Sequence, residues 1–146
     1  MRKLFVILLI LPAVIFGKYN FKEPKPSFDK PRKIIMKLNS KDIHKANHML
    51  GTIYNILKEY PDGALKVVVV AYGPGLNVLK KDYNKKTLSR ISSLMEYDVE
   101  FIGCINTMQT MGWKRKDFID DIDYVQAGVV EIIERQADNF IDATPY

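Results

Sequence analysis

The sequence predicts an α/β protein, a three-layer α/β/α arrangement around a mainly parallel sheet of four to five strands. Three observations lead there. Short β-type runs alternate along the chain with segments of helical apolar period. The run Val67-Val68-Val69-Val70 is apolar at both parities, as a strand buried on both faces must be. Glycine, proline and asparagine punctuate the boundaries between these segments. The chain has 146 residues, the length of one domain. Its 47% hydrophobic and 27% charged residues exclude a disordered, collagen-like or disulfide-scaffold protein.

Met1-Arg2-Lys3 is a basic start, and Leu4 to Phe16 follows without a charge, interrupted only by Pro12. A basic start before an apolar stretch of about 7–15 residues reads as a secretory signal. The stretch is shorter than the roughly 20 apolar residues of a spanning helix. Residues 1–17 are therefore expected to be a signal peptide cleaved after the small Gly17, and no lipobox cysteine follows it. In a two-membrane bacterium the mature protein would reside in the periplasm, with no stable membrane span. Residues 18–32, rich in lysine and carrying Pro24, Pro26 and Pro31, are expected to form an extended, solvated leader. The formal charge of +5 falls to +3 without Arg2 and Lys3 and is spread along the chain, which is no nucleic-acid footprint.

The domain is expected to occupy residues 33–146. Ile34 to Leu38 reads as the first strand, and Asn39 and Ser40 are residues that cap helices well. Apolar residues at 43, 46, 50, 53 and 57 predict a helix to about Tyr60, broken by Pro61-Asp62-Gly63. Lys66 to Ala71 is the second strand, Gly73-Pro74-Gly75 a turn, and a helix is expected from there through Leu79. A helical pattern covers Lys85 to Tyr97, and Val99 to Gly103 is the third strand. Ile105 to Met111 is helical and closed by Gly112. Ile122 to Gln126 is a short fourth strand, Gly128 to Ala137 the last helix, and the tail carries a short edge strand near its start.

In open parallel sheets, ligands and chemistry sit outside the carboxyl ends of the strands. The loops there hold Asn39, Tyr72 to Leu76 including Gly73 and Gly75, and Cys104 with Asn106 and Thr107. Cys104 is the single cysteine of the chain. At a strand-to-helix junction, free N–H groups favour the thiolate, the form that attacks sulfur. A lone cysteine is equally at home as a small buried hydrophobe.

Three segments carry a family resemblance: Val99 to Met108 with Gly112 eight residues after the cysteine, Ala71-Tyr72-Gly73-Pro74-Gly75-Leu76, and Ala127 to Ile132 with Gln136. In this order and spacing the chain resembles the DsrE/DsrF-like (DsrEFH superfamily) proteins from about Lys33 to Tyr146. The resemblance implies a homo-oligomer, a trimer or hexamer. It also implies that Cys104, by position, carries a persulfide in a sulfur relay. Asn39, Tyr72, Gly73, Gly75, Asn106 and Thr107 are expected to line a ligand site beside it, from their place at the carboxyl ends of the strands. The sulfur-relay members usually place small alanines and an arginine after that cysteine, where this chain reads Asn106 to Met111.

Other patterns point less far. His44 and His48 share a helix face but flank Lys45 rather than the glutamate of a zinc hydrolase. Cys104, Met108 and Met111 follow helical spacing and offer soft ligands for copper, although methionine at that spacing is usually core. Gly73-Pro74-Gly75 lacks the third glycine of a dinucleotide loop, and Pro74 removes an amide donor. Asp117, Asp120, Asp121 and Asp123 lack calcium-loop spacing. Trp113 reads as an interface anchor or a lid on the cysteine pocket. No cofactor and no resident metal are expected. The competing reading is a non-catalytic oligomeric module that binds a small ligand or copper, with the thiol incidental.

Overall fold

Among the described residues, five strands form one sheet in the order β4-β3-β2-β1-β5, and every pair runs parallel. They are β1 (Arg32–Leu38), β2 (Leu65–Ala71), β3 (Glu100–Cys104), β4 (Asp123–Val125) and β5 (Ile141–Asp142). The helices are α1 (Ile43–Glu59), α2 (Lys85–Met95), α3 (Ile105–Met111) and α4 (Gly128–Ala137). This computed structural model describes residues 19–146, so the expected signal segment 1–17 lies outside the described residues. Among the described residues, no helix is long and apolar enough to cross a membrane.

Strand parity divides the core into two unequal layers. Ile34, Met36 and Leu38 of β1, Val67 and Val69 of β2 and Phe101 of β3 join the larger cluster. Met49, Leu50 and Ile53 of α1, Ile91 and Leu94 of α2 and Met108 of α3 close over them. The opposite parity, Ile35, Val68, Val70 and Ile102, packs beneath Ile132 of α4 and Phe140. Alternation in each strand thus feeds both layers, which is why the valine run of β2 has no polar position. Deleting the side chain of the fully buried Phe101 would cost about 3–5 kcal/mol.

Four local expectations are corrected. Helix α1 is capped by Asp42, whose carboxylate accepts the Lys45 amide at 2.9 Å, not by Asn39 or Ser40. A cap must immediately precede the first helical residue, and Asn39 and Ser40 stand too early. The segment Gly73–Leu79 is a 3₁₀ helix rather than an α-helix. Helix α2 ends at Met95 rather than Tyr97, because the chain turns at Asp98 with φ of 60°. The leader is not simply solvated: Pro26 is buried, and the Phe21 ring lies 4.6 Å from that of Tyr60.

Candidate functional site

Cys104 is both the last residue of β3 and the residue that caps α3. Ile102 belongs to the α4 layer, and two residues on, Cys104 turns its side chain the same way. Its sulfur meets the start of α4, where the Gly128 amide donates to Sγ at 3.3 Å. The Gln126 carbonyl, 3.8 Å from Sγ, accepts from the protonated thiol. The residue is 5% exposed.

Burial by itself raises the pKa of this thiol. The Thr107 hydroxyl, the Gly128 amide and the amides of Thr107 and Asn106 outweigh it, and the pKa is lowered. Gly128 makes the contact of hydrogen-bonding geometry. The Asn106 amide already donates to the Gln126 carbonyl at 3.0 Å and reaches the sulfur only as a dipole. The first turn of the ten-residue α4 therefore adds a directional donor to the Thr107 hydroxyl and first amides of α3, the helix the sequence implied.

Gly128 sits in close quarters there. A Cβ on it would lie 3.1 Å from Tyr72 Cβ, 3.2 Å from Val70 Cγ1 and 3.3 Å from Cys104 Cβ. The loop is tied back to α3 by Gln126, whose side-chain amide donates to Asn106 Oδ1 at 2.5 Å.

The loop after β2 forms the neighbouring wall. Gly73, at φ of 52°, donates its amide to Thr107 Oγ1 at 2.9 Å. Thr107 accepts that bond, so its own hydroxyl proton remains free for the sulfur. One threonine thus couples the β2 loop to the thiol. Gly75 instead packs against the sheet edge. A Cβ there would stand 2.0 Å from the Leu38 carbonyl oxygen, so only glycine permits this approach to β1. Beside Thr107 opens a cleft of about 440 Å³ between the 3₁₀ segment and α3.

The expected site residues are distributed unequally. Gly73, Asn106 and Thr107 line this cleft. Tyr72 packs against the α4 layer near Gly128, Gly75 is buried against β1, and Asn39 is exposed. Cys104 stands behind Thr107 and is not part of the cleft surface. Met108 is buried in the larger core while Met111 is exposed, so the methionine stripe does not converge with Cys104. Trp113 does line the cleft, and Phe118 meets its ring edge-on at 6.0 Å. His44 and His48 are exposed, and among the described residues no group of three or more His, Cys, Asp or Glu could hold a metal ion. The aspartates serve locally: Asp117 accepts the Lys114 amide and Asp120 pairs with Lys81.

Gly128, Gln126 and Lys41 were not identified as site residues from the sequence. Only β3 parity hinted at Gly128, since residue 104 must share a face with 102. Nothing in the local sequence points to Lys41, which lines the cleft across the sheet edge.

The model of the DsrE/DsrF-like family matches residues 33–141. Among solved structures, the chain is similar to a protein of unknown function, MTH1491, from Methanobacterium thermoautotrophicum. The TM-score is 0.72 at 24% identity, over 78% of this chain and 99% of that one. At that identity the likeness concerns the fold. No curated protein matches the chain.

Proposed function

The chain belongs to the DsrE/DsrF-like family, and from that premise we propose that Cys104 takes up sulfane sulfur as a persulfide and passes it to an acceptor. The observation that carries this reading is a thiol at the carboxyl end of β3 whose pKa, against the effect of burial, is lowered by Thr107 and by the Gly128 amide that contacts its sulfur. The thiolate attacks the outer sulfur of a donor persulfide. A new S–S bond forms at Cys104, the donor S–S bond breaks, and its electron pair leaves on the donor thiolate. Gly128 and Thr107 stabilise the attacking anion and hold its direction.

Intact mass after incubation with a persulfide donor tests this. We expect the wild-type chain to gain the mass of one sulfur atom and Cys104→Ser to gain none. No gain on the wild type, or the same gain on the serine variant, would falsify the proposal.

The low exposure of Cys104 favours the second reading, a small-ligand module with an incidental thiol. Native maleimide labelling separates the two: reaction only after denaturation supports the module. Copper carriage by that module is checked by metal analysis of the same sample.

Self-assembly into a trimer or hexamer belongs to the same proposal. It is supported by Val129, Val130 and Ile133, each more than half exposed on the outward side of α4. Sedimentation of Ile133→Glu should give a smaller species than the wild type. Export is also proposed, on the basic and apolar start of the chain. Cell fractionation with N-terminal sequencing should find a periplasmic chain beginning at Lys18.

A further inference from the structure

The cleft beside Thr107 differs from the thiol pocket in charge and in lining. Pro74, Met111 and Trp113 supply an apolar surface, and among the described residues no carboxylate lines it. Lys41 is its one ionised lining residue among the described residues. A second cation, Lys80, sits 5.1 Å above the Trp113 ring, partly matched by Asp82 at 3.2 Å. Asn77 and Asn106 add polar groups that can orient a ligand. A volume of about 440 Å³, mainly apolar walls and a few convergent polar groups suit a small molecule rather than a peptide.

We propose that this cleft binds a small organic anion with an apolar body, such as an aryl or alkyl sulfonate. The apolar body would lie on Trp113 and Met111, with its anionic group toward Lys41. Charge complementarity supports an anion because, among the described residues, no acidic group in the wall matches Lys41.

Resting on the persulfide reading above, the same site would admit an organic thiosulfonate, R–SO2–S⁻, as sulfur donor. The Cys104 thiolate attacks the outer sulfur, an S–S bond forms, and the sulfonyl–sulfur bond breaks. The electron pair leaves on the sulfinate R–SO2⁻, so charge is conserved and no oxidant is consumed. Cys104 stands behind Thr107 and outside the cleft surface, so transfer from a bound donor requires the thiol to reach past Thr107.

Trp113 is the single tryptophan of the chain, so its fluorescence reports the cleft directly. Benzenesulfonate, which has no transferable sulfur, is titrated into the full chain carrying Cys104→Ser. We expect saturable binding, about five-fold weaker in Lys41→Ala, as the loss of an exposed charge pair gives. Met111→Asp, at an exposed position, should abolish it, and neutral benzenesulfonamide should bind at least about five-fold more weakly. Absence of saturation up to millimolar ligand, or equal binding of the neutral analogue, overturns the assignment.

A second arm compares benzenethiosulfonate with inorganic thiosulfate as donors to the wild type. Faster persulfide formation from the aryl donor, slowed by Lys41→Ala, supports the cleft as the donor site. Equal rates unaffected by Lys41→Ala overturn that role and leave the persulfide reading intact. Sulfonate binding without a persulfide from any donor refutes the persulfide reading and leaves the anion site standing.

Discussion

The loops after β2 and β3 leave adjacent strands at the same edge of the sheet, yet they are built by opposite means. After β2, Gly75 is pressed so close to β1 that its conformation follows from backbone contact alone. After β3, Cys104 is held by partners that arrive later in the chain, the Gly128 amide and the Gln126 carbonyl, and by Thr107 one turn ahead. The first loop is a rigid wall that tolerates no added atom at Gly75. The second is tuned by hydrogen bonds, so its chemistry can change while its fold survives. Thr107 joins the two through Gly73.

Substitutions at these positions probe that contrast. Gly75→Ala should have the largest effect, since its methyl would meet the Leu38 carbonyl at 2.0 Å. The expected loss is about 3 kcal/mol or more in a urea unfolding curve. An unchanged midpoint would mean that the wall is not rigid. Gly128→Ala meets its neighbours at 3.1 to 3.3 Å and should cost less, about 1–2 kcal/mol. It should also raise the thiol pKa by pushing the α4 amide from the sulfur, read from thiolate absorbance against pH.

Thr107→Val removes the acceptor of the Gly73 amide and the hydroxyl facing the sulfur, at a cost of about 1 kcal/mol. Because the folded pKa of Cys104 is depressed, its thiolate contributes stability above the unfolded thiol pKa. That contribution is lost as pH falls through the folded pKa. The valine variant should therefore show a higher thiol pKa and a smaller dependence of stability on pH across that window. If its titration matches the wild type, Gly128 alone holds the anion. The smallest effect is expected from Gly112→Ala, at φ of 69° with open space around it. Backbone strain there should cost roughly 1 kcal/mol and leave the thiol titration unmoved.

Much of the order of elements was legible because each has a strong local cause. Helices α3 and α4 occupy the segments that their periodicity and flanking glycines predict. Strand β2 announces itself through four consecutive valines. Element ends were less legible. The Asp42 cap depends on which hydroxyl or carboxylate meets the first free amides, and the packed leader depends on Tyr60, far along the chain. Of the site, Cys104 with Asn106, Thr107 and Gly73 could be placed at the carboxyl edge by topology alone. Asn39 and Gly75 belong to that edge without lining the cleft, since a loop position does not say which way a side chain or a carbonyl points.

By itself the sequence determined an α/β chain, its parallel sheet and a cysteine at the end of β3, because local period and strand-to-helix alternation specify these. Only the tertiary structure decided which layer receives the sulfur, and that the first turn of α4 adds a donor to those of α3. It also decided that Lys41 and Trp113 share a cleft. Parity fixes that residues 102 and 104 share a face. Which helix covers that face, and which distant cation reaches the edge, follow from how the crossovers return across the sheet.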